Sequence, residues 1–162
     1  MGSGKNTVAQ ALARILNCRA IDLDQLIKER TGRTPKEIIE QDGESPFREI
    51  ETHLLRDVLE GGPARVIALG GGAWTMQGNR ELIAAYNCFA VWLDAPFELC
   101  WQRIAESGSE RPLAREEKQA QILYTERRTL YQLAAFHLFA DEGKSVDELA
   151  LTIAKALQRT EP

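Results

Sequence analysis

The chain has 162 residues, enough for one domain with a proper hydrophobic core, and its 44% hydrophobic and 27% charged content is ordinary for a soluble globular protein. A formal net charge of −4 argues against a general nucleic-acid binder, which carries a basic excess. No apolar run approaches the ~20 residues that span a bilayer, and Cys18, Cys88 and Cys100 are odd in number and lack metal-type spacing, so reduced thiols in a cytoplasmic protein are expected.

The first element is a loop. Met1-Gly2-Ser3-Gly4-Lys5-Asn6-Thr7 matches the second half of G-x-x-x-x-G-K-S/T, whose backbone N–H groups cradle nucleotide phosphates between a strand and a helix. Gly2, Ser3, Gly4, Lys5, Asn6 and Thr7 are therefore the candidate phosphate-binding residues, with Lys5 placed to neutralise charge that builds on the β- and γ-phosphates. The first glycine of the pattern would lie two residues before Met1, and so would the strand that feeds such a loop. Asn6 stands where Ser or Thr would hold Mg²⁺. A flexible N-terminus is the competing reading of so short a match. Apolar positions at 8, 11, 12, 15 and 16 predict a helix from about Lys5, its positive end facing the loop.

Residues 18–22 form a short strand ending in acid. Asp22 and Asp24 then flank its C-terminal end, the edge where an open parallel sheet binds ligands. Two carboxylates there suit the organisation of Mg²⁺ and acceptance of a proton from a hydroxyl nucleophile. The alternative is that Asp24 merely caps a helix over 25–30. Thr34-Pro35-Lys36-Glu37 starts the next helix, with a capping Thr, Pro in the first turn and Glu three residues on. Ser45-Pro46 opens another, stopped by Gly61-Gly62-Pro63. Arg48 lies three residues after the Ser45 cap, where the helix dipole disfavours a cation, which marks it as a functional candidate. Otherwise it pairs on the surface with Glu44, Glu49 or Glu51.

A strand over 65–69 leads into Gly70-Gly71-Gly72, which makes sense where a ligand lies against bare backbone N–H groups and otherwise forms a flexible turn. A helix over 79–86, a strand over 88–93 and a helix from Pro96 to about 105 follow. A mobile lid at about 106–115 carries Arg111, suited to covering phosphates. A long helix over 116–133 carries Arg127, suited to bidentate recognition of a carboxylate. A strand over 136–140 and a helix over 145–157 close the chain. Strands alternating with helices predict α/β architecture around a parallel sheet, and one domain over residues 1–162.

Taken in order, Gly2-Ser3-Gly4-Lys5, Asp22-Leu23-Asp24, Phe47-Arg48-Glu49-Ile50-Glu51, Leu69-Gly70-Gly71-Gly72-Ala73, Arg111-Pro112-Leu113 and the segment 127–131 closely resemble the shikimate kinase family of small, nucleoside-monophosphate-kinase-like P-loop enzymes. The resemblance implies a three-layer P-loop kinase fold, with a parallel sheet flanked by helices. It implies transfer of the ATP γ-phosphate to the 3-hydroxyl of shikimate in aromatic amino-acid (chorismate) biosynthesis, by a cytoplasmic monomer using ATP and Mg²⁺. By position, Lys5 and the backbone of residues 2–7 would bind the ATP phosphates, and Arg111 would be the lid arginine. Asp24 would hold shikimate hydroxyls and orient or deprotonate the nucleophile. Arg48 and Arg127 would clamp the shikimate carboxylate, with the Gly70, Gly71 and Gly72 backbone beside them. Asp22, with Asn6, would organise Mg²⁺, and Arg103 falls loosely near a nucleotide-side arginine.

Two departures accompany the resemblance. The Asn6 amide is longer than a hydroxyl, Mg²⁺ tolerates little deviation from an octahedron at ~2.1 Å, and Thr7 is turned ~100° away along the helix. Weaker use of Mg·ATP than in an Asn6→Ser variant is therefore expected. The first, mid-sheet strand of the fold is also expected to be missing, leaving two unpaired strand edges, with the native chain starting upstream and Met1 an internal methionine. A related small-metabolite kinase, such as gluconate kinase, and a kinase-like protein that binds metabolite or nucleotide without turnover stay open as alternatives.

Overall fold

The computed structural model describes residues 2–62, 64–106 and 116–159. Helix α1 (Lys5–Ile15) starts from Gly4, whose φ of 83° turns the loop into the helix, and it buries Val8, Ala9, Ala11, Leu12 and Ala13. Strand β1 (Arg19–Asp22) leads into α2 (Leu23–Thr31), and α3 (Pro35–Asp42) begins in the capping box that its sequence announces. There the Thr34 hydroxyl accepts from the Glu37 N–H at 3.2 Å, while the Glu37 carboxylate accepts from the Thr34 N–H at 2.6 Å.

Helix α4 (Glu44–Gly61) departs from expectation at its start, because its cap is Gly43 and not Ser45. Gly43 both ends α3 and begins α4 at a φ of 96° that side chains rarely adopt, so the chain turns one helix directly into the next. Ser45 and Pro46 then fall within the first turn, where a missing N–H costs nothing. Gly62 ends the helix in the left-handed conformation. Strand β2 (Ala64–Ala68) follows, then a 3-10 turn (Ala73–Thr75), α5 (Gln77–Ala85), β3 (Val91–Asp94), α6 (Phe97–Glu106), α7 (Glu117–Tyr131), β4 (Phe136–Phe139) and α8 (Val146–Gln158), capped by Ser145.

The strands form two parallel pairs. β1 lies beside β2 with Ile21 opposite Ile67, and β3 beside β4 with Leu93 opposite Leu138. Among the described residues β2 and β3 pair with no further strand, so each presents an open edge. A cavity of about 850 Å³ lies at these edges, with Leu12, Val66, Ala68, Val91, Leu93 and Ile153 in its largely apolar lining.

Two cores hold the helices. One joins α1 and α8 to Val66, Ala68 and Leu138; the other gathers α2, α3, α4 and α5 around Leu23, Ile27, Ile38, Leu55 and Ile83. Helices thus cover the parallel strands from separate cores, which is the α/β layering expected. Among the described residues no helix is long and apolar enough to cross a membrane.

Candidate active site

The site is built where β1 and β2 end side by side, with Asp22 opposite Ala68. Asp22 is the last residue of β1 and the N-cap of α2, its Oδ1 accepting from the N–H groups of Asp24 at 3.0 Å and Gln25 at 3.5 Å. Capping, the alternative reading of Asp24, is therefore done by Asp22, and Asp24 stands in the first turn with its carboxylate toward the glycine run. A Cβ on Gly70 would lie 2.8 Å from Asp24 Oδ1 and 2.9 Å from Glu51 Oε1. Both carboxylates therefore need the bare backbone of Gly70.

Arg48 comes to the same place from α4. Its Nε and Nη2 donate to Glu44 Oε1 at 3.1 and 2.8 Å, and its Nη1 donates to Glu51 Oε2 at 2.6 Å. Its guanidinium also lies 4.9 Å over the Phe47 ring. The arginine side chain is only 12% exposed and that of Glu51 1%, so this is a buried pair and not the surface contact that sequence spacing suggests. A Cβ on Gly72 would fall inside the guanidinium, which explains that glycine. Burial pushes the Glu51 carboxyl up and Asp24 adds to this, while Arg48 pulls it back. For Arg48, burial works against the charge, but Glu51 and Glu44 outweigh it and hold the guanidinium above its ordinary value.

Helix α7 closes the cleft from the opposite side. The Tyr131 hydroxyl donates to the Gly71 carbonyl at 2.6 Å, and the Trp74 indole N–H donates to the Leu130 carbonyl at 2.9 Å. Arg127 lies one helical turn before Tyr131, on the same face. Burial raises the Tyr131 hydroxyl and the neighbouring Arg127 draws it back, and the Arg127 charge also reaches Glu51. The 3-10 turn after the glycines is held by Asn79, whose amide donates to the Ala73 carbonyl at 3.0 Å, and by Arg80, which donates to the Trp74 and Thr75 carbonyls.

Sequence reasoning missed Glu51 and Tyr131 as parts of the site. A signal for Glu51 was present. It shares a helical face with Phe47, Leu54, Leu55 and Val58, all buried, and an acid on an apolar stripe needs a partner. Tyr131 closes the matched segment 127–131, but its contact lies 60 residues away in sequence, and no local pattern assigns it that role.

The glycine loop forms the second half of the site. Gly2 and Gly4 have φ of 68° and 83°, and a Cβ on Gly2 would run into the Cys100 carbonyl of α6. Arg103, also on α6, reaches over the loop with Nη1 3.5 Å from the Gly2 carbonyl. Ser3 and Lys5 border the cavity, and Thr7 is exposed on α1. Arg111 and residues 107–115 of the expected lid lie outside the described residues.

Asn6 and Asp22, expected to organise Mg²⁺, instead meet each other. The Asn6 amide nitrogen donates to Asp22 Oδ2, and Asn6 Oδ1 is buried without a hydrogen-bond partner. Among the described residues no group of three or more His, Cys, Asp or Glu could hold a metal ion. With its amide nitrogen turned to Asp22, Asn6 does not offer the small hydroxyl oxygen that suits a directly ligated Mg²⁺, which needs a near-ideal octahedron.

The chain as a whole is similar to known proteins. The family model for shikimate kinase matches residues 1–158. The chain is 36% identical to the shikimate kinase of Cereibacter sphaeroides over 160 residues, covering 97% of this chain and 78% of that protein. It is 40% identical to that of Geobacter sulfurreducens over 157 residues, covering 95% and 84%. Among solved structures it superimposes on a shikimate kinase from Acinetobacter baumannii in complex with shikimate with a TM-score of 0.90 and 33% identity, covering 99% of this chain and 90% of that one.

If Gly72 is bare to make room for Arg48, then Gly72→Ala must displace a buried guanidinium, and overpacking of this kind costs about 1–3 kcal/mol. Urea denaturation should show that loss. Gly78, where a Cβ would meet nothing within 4 Å, serves as the control and should tolerate alanine.

Proposed function

The chain belongs to the shikimate kinase family, and from that premise we propose that it transfers the γ-phosphate of ATP to the 3-hydroxyl of shikimate. The observation that supports this most is the convergence of Arg48, Glu51 and Asp24 on the bare Gly70–Gly72 backbone at the ligand edge of β1 and β2. Arg48 has five N–H donors, of which Glu44 and Glu51 engage three. The remaining two, with Arg127 across the cleft, suit the carboxylate of shikimate. Glu51 is a positioning residue, since it holds the guanidinium from beneath.

Asp24 takes the hydroxyl end of the substrate. A carboxylate there orients the 3-hydroxyl and accepts its proton as the oxygen attacks phosphorus. Lys5, the N–H groups of residues 2–7 and the positive end of α1 receive the nucleotide phosphates and the charge that develops on the γ-phosphoryl group. Arg103 is suited to the nucleotide side of the loop. Arg111 is assigned the lid role on its sequence position alone. ATP is the phosphoryl donor, and any Mg²⁺ would come with it, held by the phosphates and water. Among the described residues three free thiols suit the cytoplasm.

A coupled ADP-release assay tests the reading: turnover is expected with shikimate and not with gluconate, and the reverse preference would refute it. Asp24→Asn removes the proton acceptor while keeping the shape, and a fall in kcat of about 10²–10⁴-fold is expected with little change in the KM for shikimate. Arg48→Lys loses the forked geometry, and a rise in that KM of roughly tenfold or more is expected, from charge-assisted hydrogen bonds worth about 1.5–3 kcal/mol.

A further inference from the structure

We propose that Asn6 uncouples nucleotide binding from Mg²⁺ in this chain, because its side chain is latched to Asp22 and leaves the phosphates to the loop backbone and Lys5. The inference rests on reading the loop as the ATP site.

A hydroxyl in this position can do two things from one oxygen: its O–H donates to a neighbouring carboxylate while its lone pairs face a cation. A carboxamide divides those roles between two atoms that point apart. In Asn6 the nitrogen donates to Asp22 Oδ2, and the oxygen is sealed from solvent with no partner. Turning the amide over would set Oδ1 against the Asp22 carboxylate, acceptor against acceptor, so Asp22 dictates the orientation.

Asp22 is committed as well. Its Oδ1 holds the N-terminus of α2 and its Oδ2 holds Asn6, so each carboxylate oxygen already has an N–H donor. Pulling Asp22 toward a cation would release the helix cap or strand the Asn6 amide. Asp24, the next carboxylate, packs against Gly70. The positive field at the phosphates comes from Lys5 and from the start of α1 at Gly4, and neither requires a metal.

The test measures binding, not turnover. A non-hydrolysable ATP analogue, AMP-PNP, is titrated calorimetrically into the full chain in EDTA and in excess Mg²⁺. For the wild-type chain the two affinities should agree within about threefold, below the 5–150-fold range of typical coupled sites. Asn6→Ser and Asn6→Thr restore the single-oxygen arrangement, and each should gain a factor of about 5 or more from Mg²⁺. A wild-type chain already showing that gain, or hydroxyl variants showing none, would overturn the proposal. If such a wild-type chain still releases ADP with shikimate, the kinase reading stands and only the uncoupling falls. If AMP-PNP binds none of the three proteins in either buffer, the loop is not a nucleotide site and both readings fall together.

Discussion

A buried ion pair sets the geometry of the candidate cleft. Arg48 and Glu51 are removed from water on a face of α4 otherwise given to Phe47, Leu54, Leu55 and Val58, and charges in such a place must be paired and hydrogen-bonded. The pair can exist only because the segment it faces has no side chains at Gly70 and Gly72. That single requirement links α4 to the end of β2, and through Gly70 it also places Asp24 of α2. Charge burial and glycine backbone are thus two halves of one solution. Neither is stable alone: a Cβ displaces the guanidinium, and an unpaired Glu51 would be a buried charge.

The remaining elements hold this cleft in register with the phosphate loop. The two pairs of strands share no hydrogen bonds with each other, so helices bridge them. α1 packs on β1, β2 and α8, carrying the loop at its N-terminus. α7 is fixed at both ends of the gap. Near Gly71 it is held by Tyr131 and by the Trp74 indole, and at the end of β3 the Arg128 guanidinium donates from Nη1 and Nη2 to the two oxygens of Asp94, with Nη2 at 2.9 Å. The same guanidinium lies over the rings of Trp92 and Tyr124. α6 then places the Cys100 carbonyl and Arg103 against the loop.

Asn6 and Asp22 show how one substitution can redirect a local network. Asp22 would serve as a cap whatever followed Lys5, because the start of α2 leaves N–H groups to be satisfied. With an amide next to it, the second carboxylate oxygen is taken too, and the acceptor of the amide is left without a partner. The amide thus ties the start of α1 to the end of β1, where a hydroxyl would have kept one oxygen for both a donor and an acceptor role.

Local chemistry made much of this protein legible from its residues. The capping signal at Thr34, the glycine stop at Gly62 and the alternation of apolar runs with helical patterns depend only on neighbours in the chain, and they appear where expected. Asp24, Arg48 and the triple glycine could likewise be marked as chemical candidates from their positions at strand and helix ends. What tertiary structure decided was partnership. That Gly43 and not Ser45 begins α4, that Asp22 and not Asp24 caps α2, and that Glu51 is buried beneath Arg48 follow from how α2, α3 and α4 pack. Tyr131 meets Gly71 across 60 residues, a contact no local pattern encodes, because only the stacking of α7 against the glycine run brings them together.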